Sequence, residues 1–411
     1  MSYVTKLKCL LCNREYNPGE VKYSCPHCGY DGILEVHYAY DEIRKIFSKD
    51  YLKNNNNFSM WRYLPLLPVD NYSFIGPLKV GWTPLYEARR IRENLNMNFL
   101  WIKDDGRNPT ASLKDRASAI AIVKARELDN DSVTCASTGN AASSLAGASA
   151  STGLKSFIFV PRTAPKAKIA QLLIFGAKVF AVKGSYDEAF DLSIKATEEF
   201  GWYNRNTAFN PYMVEGKKTV ALEIAEQLSF NVPDYIFVSV GDGCIISGIA
   251  KGYKDLYNLG LIDSTPKLVA VQAEGCSPIV DALNENSEVK FVEPHTIADS
   301  IAVGIPRNRI MAMRDIRNSK GFGVKVSDSE ILSAIKYLGE SEGIFAEPAG
   351  VAAFAGLLKA LREKLIKRDS KVVVLITGNG LKDIDSAMKA VSMPFEIEPK
   401  IEEVKRALKE K

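Results

Sequence analysis

From about residue 76 the chain alternates short apolar, β-forming runs with longer amphipathic ones, and no other feature limits its fold as much. The strand-like runs are 98–103 (NFLWIK), 132–136 (SVTCA), 156–160 (SFIFV), 178–182 (KVFAV), 235–240 (YIFVSV), 268–272 (LVAVQ) and 371–376 (KVVVLI). Helical periodicity fills intervals such as 114–128, 140–151, 185–200, 216–229 and 245–258. A strand that is apolar on both faces needs cover on both, and a helix between successive strands lets them run parallel. The expected class is α/β, with parallel sheets covered on both sides by helices.

At 411 residues and 46% apolar, the chain has room for two globular domains and a small appendage. Charged residues make up 25%, the net charge is +4, and no long Lys/Arg block occurs, so composition makes no case for nucleic acid or a membrane. No apolar run approaches the roughly 20 residues of a membrane helix. The opening MSYVTKLKCLLC lacks the apolar stretch of a signal peptide, which favours a cytoplasmic protein. Histidine occurs three times, at His27, His37 and His295, so histidine-based acid–base chemistry has few candidates. Residues 39–75, including the polar run Asn54–Asn57, read as a linker or helical extension. The charged tail from 396 to 411 reads as a solvated or packing helix.

The N-terminal 38 residues carry Cys9-Leu-Leu-Cys12 and Cys25-Pro-His-Cys28, two C-x-x-C pairs separated by twelve residues. Each pair on a tight turn can aim two thiolates at one tetrahedral ion, so Cys9, Cys12, Cys25 and Cys28 are candidate ligands of a structural zinc. Four thiolates leave His27 no vacancy, and a closed site of this kind leaves no position for catalysis. The competing reading is a metal-free or redox-active remnant. The other cysteines, Cys135, Cys244 and Cys276, fall in strands or turns and read as packed side chains.

Four polar turns follow predicted strands. Asn108-Pro-Thr-Ala-Ser-Leu-Lys114-Asp-Arg116 links a strand to a helix and places Lys114 at the mouth of a sheet, where open α/β sheets bind ligands. Ser137-Thr138-Gly139-Asn140 opens a helix whose backbone N–H groups can hold a carboxylate. Gly241-Asp242-Gly243-Cys244-Ile245 opens another, and its glycines let backbone approach a phosphate. Thr377-Gly-Asn-Gly-Leu-Lys-Asp383 offers a hydroxyl to a heterocyclic nitrogen. Each turn by itself reads most simply as a tight loop; their recurrence after parallel strands is what points to a ligand site.

Together these residues resemble the fold-type II pyridoxal-phosphate enzymes over nearly the whole chain. The resemblance implies the tryptophan synthase β-like architecture: two three-layer parallel-sheet domains plus the N-terminal zinc ribbon. The large domain would take 76–129 and 216–395, and the small one 130–215. It implies that Lys114 carries pyridoxal phosphate as a Schiff base and that Asn140 bonds the cofactor's phenolic oxygen. Gly241 through Ile245 would hold its phosphate, and Thr377 would face its ring nitrogen. Ser137, Thr138 and Gly139 would bind an amino-acid substrate, and the working unit would be a homodimer.

Within that family the ribbon, Gly81-Trp-Thr-Pro-Leu85, the segment from Lys168-Ile-Ala-Gln171 through Asp187, Asn210-Pro-Tyr-Met-Val-Glu-Gly216, Glu347-Pro-Ala-Gly350 and the turn at 377–383 are most similar to threonine synthases. These take O-phosphohomoserine and water to threonine and phosphate. Three features depart from that group. An arginine that grips substrate phosphate is replaced by Met213, and a threonine after the turn asparagine by Ala141. The stretches 241–248 and 296–304 look more like threonine or serine dehydratases, which release ammonia and a 2-keto acid; that is the alternative activity. Arg162, Lys166, Lys217 and Lys218 are candidates for the missing phosphate charge; the bland reading of the lysines is a solvated surface, the better one for at least two of them.

Overall fold

The computed structural model describes residues 2–137, 139–162, 166–184 and 186–409. Among them stand three sheets. The largest has six strands in the order Phe322–Val326, Lys267–Ala273, Tyr235–Ser239, Lys371–Ile376, Phe99–Asp104 and Leu85–Glu87, parallel except for the last, antiparallel pair. The second has four parallel strands: Lys178–Val182, Lys155–Pro161, Ser132–Ala136 and Tyr203–Asn204. All seven sequence-derived strands lie in these two sheets, within a residue or so at each end. Central strands are buried throughout, as Val372 to Ile376 illustrate, which is why they read as continuous apolar runs.

Five helices frame the site. They are α1 (Lys114–Glu127), α2 (Asn140–Thr152), α3 (Tyr212–Lys217), α4 (Cys244–Asn258) and α5 (Arg309–Asn318). Two glycines bring three of them unusually close. A Cβ on Gly216 would lie 2.3 Å from the Arg116 carbonyl oxygen, so α3 rides directly on α1. A Cβ on Gly248 would lie 3.0 Å from Lys217 Cβ, so α4 closes on α3 from the other side.

Some expectations change. The single helix expected over 216–229 is two, Tyr212–Lys217 and Thr219–Gln227, meeting at Lys218. The half-buried edge strand Phe322–Val326 is an addition to the expected set, since five residues of FGVKV carry little periodic signal. Residues 39–75 do more than tether. They form helices Tyr40–Ile46 and Lys49–Lys53 and the 3-10 segment Met60–Leu66, and buried Arg62 ion-pairs with Glu226 at 2.6 Å. The N-terminal ribbon is a three-stranded antiparallel sheet of Val4–Cys9, Glu15–Tyr16 and Leu34–Tyr38. The tail forms one exposed helix, Ile401–Ala407.

Candidate active site

A cavity of about 570 Å³ is lined by residues that follow strands of both parallel-stranded sheets. Lys114, Ser137, Gly139, Asn140, Gly241 through Ile245 and Thr377 all reach its wall. Thr138 lies outside the described residues, as does Lys166's side chain.

Lys114 begins α1 at the end of a turn held from both sides. Thr110 closes it internally, donating from its backbone N–H (2.7 Å) and hydroxyl (2.5 Å) to Asp115. The turn at 377 closes it externally: Leu113 N–H donates to the Thr377 carbonyl at 2.9 Å, and Asn379 N–H to the Ala111 carbonyl at 3.1 Å. Lys114 and Thr377 are thus fixed relative to each other by backbone. Burial lowers the Lys114 ammonium pKa, and the Arg205 cation adds to the shift. A lysine biased toward the free amine is the group that condenses with an aldehyde.

At the second turn, Ser137 Oγ accepts from Gly139 N–H at 3.2 Å. Asn140 is buried and its Nδ2 donates to Glu347 Oε1 at 2.5 Å, which sets the direction of the amide. At the third, Gly243 adopts φ +89° and a Cβ there would meet Ala312 Cβ at 2.7 Å; a Cβ on Gly241 would meet Ile301 Cα at 3.0 Å. The glycine requirement at 243 is therefore conformational as well as steric. The Asp242 carboxylate accepts from Arg307 N–H at 3.1 Å and its carbonyl from Asn308 N–H at 3.1 Å, so the turn leads with backbone into α4. Cys244 is buried, and burial pushes its thiol up to about 11, which suits a packed residue rather than a nucleophile.

These donors fit pyridoxal phosphate: a glycine turn at the start of a 15-residue helix for the phosphate, an amine in reach, and a buried hydroxyl and amide for the ring. The four ribbon sulfurs fit zinc. About 2.3 Å per Zn–S bond sets tetrahedral sulfurs roughly 3.8 Å apart. Cys12 and Cys25 Sγ stand 3.8 Å apart, and all four ligand atoms lie within 4.8 Å of one another.

The structure also brings in residues without a spacing signal. Arg205 and Asn206 follow a two-residue strand in an unpatterned stretch; Asn206 Oδ1 accepts from Ala136 N–H at 2.8 Å, and both line the cavity. Lys217 lines it too. Met213 does not: it is fully buried in the apolar core, so the position expected to mark the phosphate grip lies off the wall. Of the other cation candidates, Arg162 is exposed, whereas Lys217 and Lys218 are buried rather than solvated.

The family described as "Pyridoxal-phosphate dependent enzyme" matches residues 77–378. A threonine synthase of Methanocaldococcus jannaschii is 41% identical over 406 residues, covering 98% of this chain and 99% of its own length. One from Methanosarcina acetivorans is 39% identical over 405 residues, with 98% of each covered. Among solved structures, the processed form of threonine deaminase isoform 2 from Solanum lycopersicum superposes with a TM-score of 0.64 at 25% identity, covering 75% of this chain and 83% of that one. The chain belongs to the pyridoxal-phosphate dependent enzymes, and within them to the threonine synthase family.

Proposed function

We propose that the chain converts O-phosphohomoserine and water to threonine and phosphate. The observation that carries this reading is the end-to-end match to threonine synthases, which includes the ribbon and both parallel-sheet domains. Pyridoxal phosphate, when bound, supplies an electron sink that stabilises negative charge at the substrate's α carbon. The chain's residues do the rest. Lys114 holds the cofactor, then takes and returns protons at the α and β carbons, a task its lowered pKa favours. Asn140 would donate to the ring oxygen, and the backbone of Gly241, Asp242, Gly243, Cys244 and Ile245 would hold the cofactor phosphate. The Thr377 hydroxyl would serve the ring nitrogen. Ser137 and Gly139, with Thr138, hold the substrate carboxylate at the start of α2. Phosphate leaves from the γ carbon and water adds at the β carbon.

In this reading the two domains, 76–129 with 216–395 and 130–215, close around the cofactor. Cys9, Cys12, Cys25 and Cys28 bind a structural zinc. The enzyme works as a cytoplasmic homodimer on a small amino-acid substrate, without nucleic acid; among the described residues no helix is long and apolar enough to cross a membrane.

The test is turnover by the cofactor-loaded protein, with O-phosphohomoserine in one reaction and threonine or serine in another. Phosphate and threonine from the first, with the second nearly inert, is the expected result. Ammonia and a 2-keto acid from the second, with the first inert, would make the chain a dehydratase.

A further inference from the structure

Lys217 is 1% exposed, yet its side chain lines the cavity. Among the described residues no carboxylate pairs with it, and its hydrogen-bond partner is the Thr207 hydroxyl, at 3.4 Å. Its electrostatic neighbours are the Cys244 and Asp242 side chains of the glycine turn together with the cations Arg205 and Lys114. Burial, reinforced by those cations, brings the ammonium down to about 8. A buried ammonium without a paired carboxylate is costly, so its retention between α1 and α4 asks for an anion from outside the chain. Its place on α3 is also informative. Lys217 stands four residues, one helical turn, after Met213 on α3, and it lines the cavity where Met213 stays in the apolar core.

We propose that Lys217 grips a phosphate-monoester dianion in this cavity, supplying from one turn farther along α3 the charge that Met213 lacks. Two sources share that chemistry, the cofactor's phosphate and the substrate's. The substrate arm rests on the threonine synthase reading; the cofactor arm does not.

The test compares the holoenzymes of Lys217→Met, Lys217→Gln and Lys217→Arg with the unaltered protein. Two quantities are read: retention of pyridoxal phosphate on dialysis, followed by its visible absorbance, and the thermal shift given by inorganic phosphate. KM and kcat for O-phosphohomoserine are read alongside. Removing a charge-assisted hydrogen bond to phosphate costs about tenfold in affinity. If the cofactor is the source, Lys217→Met and Lys217→Gln lose about tenfold in retention and Lys217→Arg recovers most of it. If the substrate is the source, retention holds, KM rises about tenfold with kcat less affected, and the phosphate-induced shift disappears. The proposal is overturned if a folded neutral variant keeps cofactor retention, phosphate shift and KM, or if Lys217→Arg fails as badly as the neutral variants. Should one neutral variant not fold, the other decides. Retention and thermal shift need no turnover, so a protein that proved to be a dehydratase would lose the proposed function and still show whether Lys217 holds a phosphate.

Discussion

Lys217 and Lys218 are neighbours in sequence and both buried, and they sit in opposite electrostatic surroundings. Lys218 Nζ donates to Glu215 at 2.5 Å and Asp255 at 2.7 Å, and lies 4.0 Å from the centre of the Tyr38 ring. Lys251 shares Asp255, while Tyr38 donates to Glu215 at 2.7 Å and Tyr40 to Asp255 at 2.6 Å. This balanced cluster ties the ribbon strand Leu34–Tyr38 to α3 and α4, the helices that back the cavity. Burial alone would raise the Asp255 carboxyl; Lys218 and Lys251 hold it below its ordinary range. On the cavity side, Lys114, Arg205 and Lys217 face one space together with the carboxyl groups of Asp242 and Glu347, and Arg205 and Lys114 both lower the Lys217 pKa while Asp242 opposes them. Where a buried charge is paired inside the chain it holds elements together; Lys217, with no carboxylate paired to it among the described residues, is open to a ligand.

The sharpest way to break the cavity side is Lys114→Ala. Turnover should fall on the order of 10³-fold or more, as for loss of a covalent catalytic group, and the visible cofactor band should vanish while the protein stays folded. A Lys114→Ala protein with full activity would end the catalytic assignment.

On the balanced side, Asp255→Ala leaves two buried ammoniums short of a partner and should cost about 3–5 kcal/mol in denaturant unfolding. Lys217→Met, which removes an uncompensated charge, should leave stability equal or higher. Equal losses from the two would dissolve the contrast. The sign of the pH dependence follows from the depressed Asp255 pKa. Its contribution is complete above the ordinary aspartate value of about 3.9 and fades as pH falls through the lower folded value. The stability gap between Asp255→Ala and the unaltered chain should therefore narrow in strong acid.

Zinc removal by chelation, or Cys25→Ser, should lower the melting temperature by several degrees, with metal analysis falling from one ion per chain toward none. Leu10 and Ile33 of the ribbon pack with Cys244, Met311 and Val214, so cofactor retention should weaken with it. A metal-free chain of unchanged stability would favour the remnant reading. The smallest effect belongs to Thr377→Val. Loss of one neutral hydrogen bond, about 1 kcal/mol, predicts roughly fivefold slower turnover and a shift in the visible band.

Much of this was legible without coordinates, and for a local reason. The strands buried on both faces announced themselves as unbroken apolar runs, and the polar turns that follow four of them could be marked from spacing, whereas the parts given to Lys114, Asn140, Gly243 and Thr377 within those turns came from the family resemblance. The helix break at Lys218 was not legible: the backbone there remains helical (φ −60°, ψ −22°), so no period changes. Nor was Glu347's grip on Asn140, which spans 207 residues.

The residue order by itself determined the α/β class, the two C-x-x-C pairs and the four turns, because each depends on residues a few positions apart. Only the tertiary structure decided which charges matter to the cavity. Met213 turns into the core, Lys218 finds two carboxylates, and Lys217, its immediate neighbour, reaches the cavity with none among the described residues paired to it. That division depends on how closely Gly216 and Gly248 let α3 sit between α1 and α4, and close approach of distant segments leaves no mark in local periodicity.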